Sequence, residues 1–349
     1  MSAADQSGAA AEEVTPTPAV REAHGAGPFS GIVDFVERTT KFIWNHHNPG
    51  LIARYYTPTT IVHTPDGDIC GRDAVIEGCV KKMAAFPDIK DHISDTIWVQ
   101  DGPDRWRTSM RWTWTARGTG YGTHGPPTGR RVVCTGIANC VVHGERYIEE
   151  WVVYDDVTLL RQLGISLAAH LAACAPLAAD DVFAATGEVH QLLGGDFPAP
   201  MVAAVGGVDS PHEAVHRFNH EVWNRKMVGD VDVHMHPAVV AHVESGRELY
   251  GTGDVKHHVL ATMAMLPNCR RFVDEVYLTP GDDGEQRVAT RWTILGTNTG
   301  PSRYGPPTGR SVRIMGITHQ RVVDGLVVEE WQEWSELALM KALLLPIAE

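Results

Sequence analysis

The chain contains itself twice. Arg111-Trp112-Thr113 returns as Arg291-Trp292-Thr293, Gly125-Pro126-Pro127-Thr128-Gly129-Arg130 returns unchanged at Gly305 to Arg310, and Glu149-Glu150-Trp151 returns as Glu329-Glu330-Trp331. These three segments recur at an offset of 180 residues, whereas Trp44-Asn45 and His63 match Trp223-Asn224 and His242 at 179. One residue was therefore gained before Gly71/Gly251. Ordered matches at one spacing mark a duplication, and a period this long leaves each copy large enough to bury its own core. The 349 residues divide into a tail (1–28), a first domain (29–167), an Ala/Gly/Pro-rich linker (168–209) and a second domain (210–349). The tail reads as disordered, and the linker has room for one short helix.

Both copies follow one plan. Ile32, Phe35, Val36, Thr39, Phe42 and Ile43 repeat at helical spacing. Copy two opens with Ser210 as cap, Pro211 at the first helical position and Glu213 at the third, a capping box. A second helix follows Gly71 and stops near Pro87, and its twin runs from about Asp254 to Leu266 and stops at Pro267. Strands then take over. Met110, Trp112, Trp114 and Ala116 alternate with Arg111, Thr113, Thr115 and Arg117, the period of two that gives a sheet distinct faces. The last strand, Tyr147 to Asp155, puts Glu149, Trp151, Val153 and Asp155 on one side. The expectation is an α+β domain, helices on a curved antiparallel sheet, present twice.

Several function classes drop out. With 30 Lys+Arg against 43 Asp+Glu the net charge is −13, and no basic stripe is present to displace counterions from nucleic acid. No apolar run reaches the roughly 20 residues of a membrane span, and the N-terminus lacks the basic-then-apolar order of a secretory signal. The six cysteines contain no Cys-x-x-Cys pair, which fits reduced thiols and a cytoplasmic setting. Among 18 histidines, the clusters His46-His47, His234/His236 and His257-His258 match no metal-ligand spacing, so no metal is expected. Gly118-Thr119-Gly120 lies between strands rather than before a helix, unlike a phosphate loop. No nucleophile elbow is present.

Trp-Asn on the first helix, His63, Gly71-Arg72-Asp73, Arg-Trp-Thr, Gly-Pro-Pro-Thr-Gly-Arg and Glu-Glu-Trp…Asp…Leu-Leu-Arg-Gln-Leu-Gly occur in that order. Together they resemble the SnoaL-like polyketide cyclases of the NTF2-like superfamily. The resemblance implies two tandem cone-shaped α+β barrels, each wrapping an apolar pocket closed by helices. It also implies a pocket aspartate that serves as general acid/base in an aldol closure, without metal or organic cofactor. Asp155 is the matching residue, and copy two has Ser335 there, so the second domain lacks the family carboxylate. The superfamily also holds isomerases, dehydratases and C–C lyases, including enzymes that release formaldehyde from lignin-derived diaryl diols. Fold alone does not select among these reactions.

The residues themselves leave alternatives open. Asp155 against aromatic surface would have a raised pKa suited to proton transfer, or Asp155 or Asp156 caps the last helix. His63 could share the proton traffic or be a core histidine, and His124 could join it or be a solvated loop residue. Trp44, Trp112, Trp114 and Trp151, with Tyr56 and Tyr121, could wall a pocket for rings or simply pack the core. Asn45 could orient a substrate oxygen or bond to backbone. Arg111 and Arg291, on the face opposite Trp112 and Trp292, read as structural ion pairs. In copy two the candidates are His242, Trp292, Tyr304, Trp331 and Glu333, the last replacing the missing aspartate if both copies are catalytic. The expected ligand is a hydrophobic, ring-bearing small molecule, for a cyclase, lyase or isomerase, or for a binding module without turnover. Copy two is expected to cover the sheet of copy one as a second subunit would, and further homo-oligomerisation stays open.

Overall fold

The computed structural model describes residues 28–177, 211–281 and 284–348. The tail before residue 28, most of the linker and the Ser210 cap lie outside them. In copy one the elements run α1 (Ile32–Trp44), β1 (Tyr56–Thr64), β2 (Gly67–Cys70), α2 (Arg72–Ala85), β3 (Lys90–Gly102), β4 (Arg105–Arg117), β5 (Arg131–His143), β6 (Arg146–Tyr154), α3 (Asp156–Leu163) and α4 (Leu167–Ala173). Copy two repeats them as α5 (Pro211–Phe218), β7 (Met235–Val243), β8 (Arg247–Tyr250), α6 (Gly251–Met265), β9 (Arg270–Pro280), β10 (Gln286–Thr297), β11 (Ser311–Val323), β12 (Leu326–Trp334) and α7 (Glu336–Leu344). Helix α4 runs from the end of the first domain into the described part of the linker, and the rest of the linker lies outside the described residues.

Each copy forms a six-stranded sheet, in the order β2-β1-β6-β5-β4-β3 and β8-β7-β12-β11-β10-β9. Two expectations need correction. The sheet is mixed, because β1 pairs with β6 in parallel, as β7 does with β12. It also stays open, since β2 and β3 are edges and no barrel closes. Register carries the alternation of β4 across the sheet: Trp112 lies opposite Gly136, and Gly136 opposite Tyr154. Glycine is required there. A Cβ on Gly136 would stand 2.2 Å from the Trp112 ring, and one on Gly316 would stand 2.1 Å from that of Trp292. Each indole thus lies flat over the neighbouring strand, a close approach that only glycine allows.

The concave faces hold separate cores, and the outer faces of the two sheets pack together. Ile137, Val141, Trp151 and Val153 of copy one meet Met315 and Ile317 of copy two, and Ile97 meets Tyr277 and Ala289. Helices α3 and α7 add Val157, Leu160 and Leu337. The contact is reciprocal: the Arg111 guanidinium lies 3.9 Å from the centroid of the Trp331 ring, and that of Arg291 lies 4.0 Å from that of Trp151. Such exchange is the signature of a two-fold interface, built here inside one chain. Arg291 also pairs with Glu275 at 3.3 Å, so its ion-pair reading is correct but incomplete.

Candidate functional site

Copy one encloses a cavity of about 420 Å³ between its sheet and helices α1 and α2. Trp44, Tyr56, Trp112, Trp114 and Tyr154 wall it, so four of the six aromatic residues singled out in copy one line one cavity, and Trp151 and Tyr121 do not. Two carboxyl side chains reach it, Asp91 near the start of β3 and Glu150 in β6. The Asp91 backbone is clamped by Asn45, whose Nδ2 donates to the Asp91 carbonyl at 2.9 Å while the Asp91 N–H donates to Asn45 Oδ1 at 2.5 Å. Its carboxyl oxygen Oδ1, by contrast, is buried without a hydrogen-bond partner. Burial pushes the Asp91 pKa up to about 7, against the opposing pull of the Lys82 ammonium. Glu150 is raised by burial as well, opposed by the Tyr56 hydroxyl, which donates to its Oε2 at 3.0 Å, and by Lys82. The Lys82 ammonium lies 5.4, 5.6 and 5.2 Å from the ring centroids of Trp44, Trp114 and Tyr154. A carboxyl that titrates near neutrality can both take and return a proton, and a nearby ammonium can stabilise an oxyanion as it forms.

The other sequence candidates lie elsewhere. Asp155 is the N-cap of α3: its Oδ1 accepts the Thr158 N–H at 2.9 Å, and it does not line the cavity. Burial raises its pKa, opposed by the Thr158 hydrogen bonds. Ser335, its counterpart, caps α7 by accepting from Ala338 N at 3.0 Å. One structural role therefore explains both residues, since Asp and Ser are each good N-caps. His63 is on the outer face. It stacks on Trp151 with ring centroids 4.9 Å apart and lies between Asp68 (2.8 Å) and Glu149 (3.0 Å). Burial would lower its pKa, but hydrogen bonds with Glu149 and Asp68 outweigh that and raise it. Its twin His242 repeats the arrangement over Trp331, with Glu248 and Glu329 each at 3.4 Å. Trp151 faces copy two rather than the cavity. His124 borders a small crevice with Phe86 and Leu163, where burial lowers its pKa to about 4. Tyr121 is 77% exposed.

In copy two, Trp292 and Tyr304 do border a cavity, the Tyr304 hydroxyl donating to Glu336 Oε1 at 2.9 Å. Glu333 does not. It shares the outward side of β12 with Trp331 and accepts from Thr135 Oγ1 of copy one at 2.6 Å. A Ser109–His319–Asp95 row also spans the copies, with Oγ to Nε2 at 2.6 Å and Nδ1 to Oδ2 at 3.7 Å. It has the order of a catalytic triad, but Ser109 and His319 are 0% and 1% exposed and the Ser109 hydroxyl already donates to Asn139 Oδ1 at 2.6 Å, so it fastens the interface. Among the described residues no group of three or more His, Cys, Asp or Glu side chains is arranged to hold a metal ion. No helix among them is long and apolar enough to cross a membrane.

The model of the SnoaL-like polyketide cyclase family matches the chain twice, over residues 35–163 and 213–343. The chain belongs to that family. No curated protein matches it in sequence. Among solved structures it is similar to a protein of Jannaschia sp. CCS1 assigned to the SnoaL-like polyketide cyclases, at 23% identity over 40% of this chain and 97% of that one, TM-score 0.34. AclR from Streptomyces galilaeus matches at 25% identity over 39% of this chain and 89% of its own, TM-score 0.33. IdmH from Streptomyces antibioticus matches at 22% over 38% and 98%, TM-score 0.34. Each spans about one copy. Family membership makes a cyclase-type enzyme the coarse functional class.

Proposed function

We propose that copy one is an acid/base enzyme, needing no cofactor, for a hydrophobic, ring-bearing small molecule, and that it performs an aldol-type step, forming or cleaving a C–C bond. The observation that carries this is the unpartnered Asp91 carboxyl, titrating near pH 7 in an aromatic-walled cavity. In this reading Asp91 takes a proton from carbon or from a hydroxyl. Lys82 steadies the oxygen on which charge gathers, and Asp91 then returns the proton. Trp44, Trp112 and Trp114 hold the ring by area burial and stacking. In this reading the proton-transfer role falls to Asp91 rather than to Asp155, His63 or His124. Isomerisation or dehydration would use the same proton traffic, whereas a binding module has no use for an unpaired carboxyl poised at neutrality. Screening the purified chain against aromatic β-hydroxy compounds and polyketide-like methyl esters tests the reading. Turnover that Asp91→Asn abolishes supports it, and turnover unchanged by Asp91→Asn refutes it.

A further inference from the structure

The cavity of copy two differs in kind. At the position of Asp91 stands Arg271, held by the same backbone clamp: Asn224 Nδ2 donates to its carbonyl at 2.9 Å, and its N–H donates to Asn224 Oδ1 at 2.8 Å. The side chain is 6% exposed and lies over two indoles, its guanidinium carbon 5.0 Å from the Trp223 centroid and 4.1 Å from that of Trp292. This stack partitions what is one space in copy one. Trp223 and Trp292 line an outer cavity of about 540 Å³, while Arg271 lines an inner one of about 410 Å³.

Among the described residues, the inner cavity leaves two buried polar atoms without a hydrogen-bond partner. Arg271 Nε has no hydrogen-bond partner, and among the described residues no carboxylate pairs with the guanidinium within 4.0 Å. A buried cation without a partner is strongly penalised, and burial lowers the Arg271 pKa to about 10. Glu330 also lines the cavity, but its Oε2 already accepts from Gln320 Nε2 at 2.5 Å, and burial raises its pKa. His234, on the same wall, has its pKa lowered by burial and is neutral at pH 7. A second orphan is Asn219 Oδ1, buried and without a partner, although Nδ2 of the same amide donates to Val215 O at 2.8 Å. Asn219 begins a π-helical turn that runs to Asn224, an irregularity common at ligand sites.

We infer that the inner cavity of copy two binds an amphipathic carboxylate, its charged group against Arg271 and its apolar body against Val215, Phe218, Val288 and Val327. Stacking on two indoles pre-orients the guanidinium, whose N–H edge matches a carboxylate in a way that an ammonium cannot. The volume falls within the roughly 300–1,000 Å³ of small-molecule sites. Duplication has thus given one chain two cavities that carry an acid, Asp91, and a cation, Arg271, at the same position. The inference does not depend on the chemistry of copy one, because its readout is binding.

The test is calorimetric titration and thermal melting of the full chain with decanoate and 4-phenylbutyrate, beside decanol, 4-phenylbutanol and 4-phenylbutylamine. Both carboxylates are expected to bind at least tenfold more tightly than the matching alcohols and to raise Tm, and the amine is expected not to bind. Arg271→Met, which keeps the volume and removes the charge, should weaken carboxylate binding at least tenfold while matching or exceeding the parental Tm without ligand. Arg271→Lys, which keeps the charge and is the variant to use should Arg271→Met not fold, should bind with intermediate affinity. Carboxylates binding no better than alcohols, no binding by any of the five probes, or undiminished binding by Arg271→Met or Arg271→Lys would each overturn the inference.

Discussion

Glu333→Gln should stabilise the protein, and more so as the pH rises. Glu333 lies between the copies, its Oε1 taking the Thr135 hydroxyl and its Oε2 buried with no partner. Burial pushes its pKa up to about 8 from 4.5, opposed by the Thr135 hydrogen bond, and Asp155, Glu244 and Asp156 add to the rise. The folded state therefore holds this proton more tightly than the unfolded state does. The stability it contributes is complete below the unfolded value and is lost as pH climbs through about 8. A rise of about 3.5 units at roughly 1.36 kcal/mol each sets a ceiling near 5 kcal/mol. Asp156, whose pKa burial likewise raises to about 7, titrates in the same window, so one substitution relieves only part of the strain. A gain of about 2–3 kcal/mol at pH 9 is expected, or roughly 5 °C in Tm, with almost none at pH 4.5. Melting curves of parent and variant at five pH values between 4.5 and 9 are the assay. An equal shift at every pH, or a lower Tm for the variant at pH 9, would refute the burial argument.

Asp155→Ala should cost about 1 kcal/mol through loss of the α3 cap and leave kcat/KM within about threefold, whereas Asp155→Asn, itself a good cap, should change neither; melting and steady-state assays decide. His63→Gln should lower Tm by about 2 °C at pH 5.5 and by almost nothing at pH 9. A raised His pKa contributes stability below its unfolded value that disappears as pH passes the folded one, and half-exposed partners limit the effect to about 1 kcal/mol. Gly136→Ala should destabilise by about 1–3 kcal/mol through collision with the Trp112 ring, with KM rising because the ring walls the cavity.

Most of the architecture was readable because duplication prints every element twice. Helical spacing located α1, turn residues bounded α2, and alternation in β4 put Trp112 and Trp114 on one face and Arg111 on the other. Strand direction was not readable, since nothing local tells β6 to run parallel to β1. The same gap hides which side of β6 faces the cavity. Glu149-Glu150-Trp151 was seen to alternate, but which side faces the cavity depends on register with β5 and β4, and there Glu150 shares a side with Trp112 while Trp151 does not. Asp155 and Ser335 differ as catalysts yet agree as caps, and a repeat preserves what its fold needs. Asp91 did leave a trace: the two copies align across Pro87 and Pro267, and four residues later one has an acid and the other an arginine. Such an inversion inside a duplicated frame marks a position where the copies differ in charge.

The measurement that bears most directly on the central claim is the pH dependence of kcat for the parent, Asp91→Asn and Asp155→Asn on whichever substrate the screen identifies. The parental profile is expected to inflect near pH 7, the value to which burial raises Asp91. A loss of about 10²-fold or more is expected in Asp91→Asn, as for removal of a general base, and a near-parental profile for Asp155→Asn. A profile governed by Asp155, with Asp91→Asn as fast as the parent, would contradict that claim.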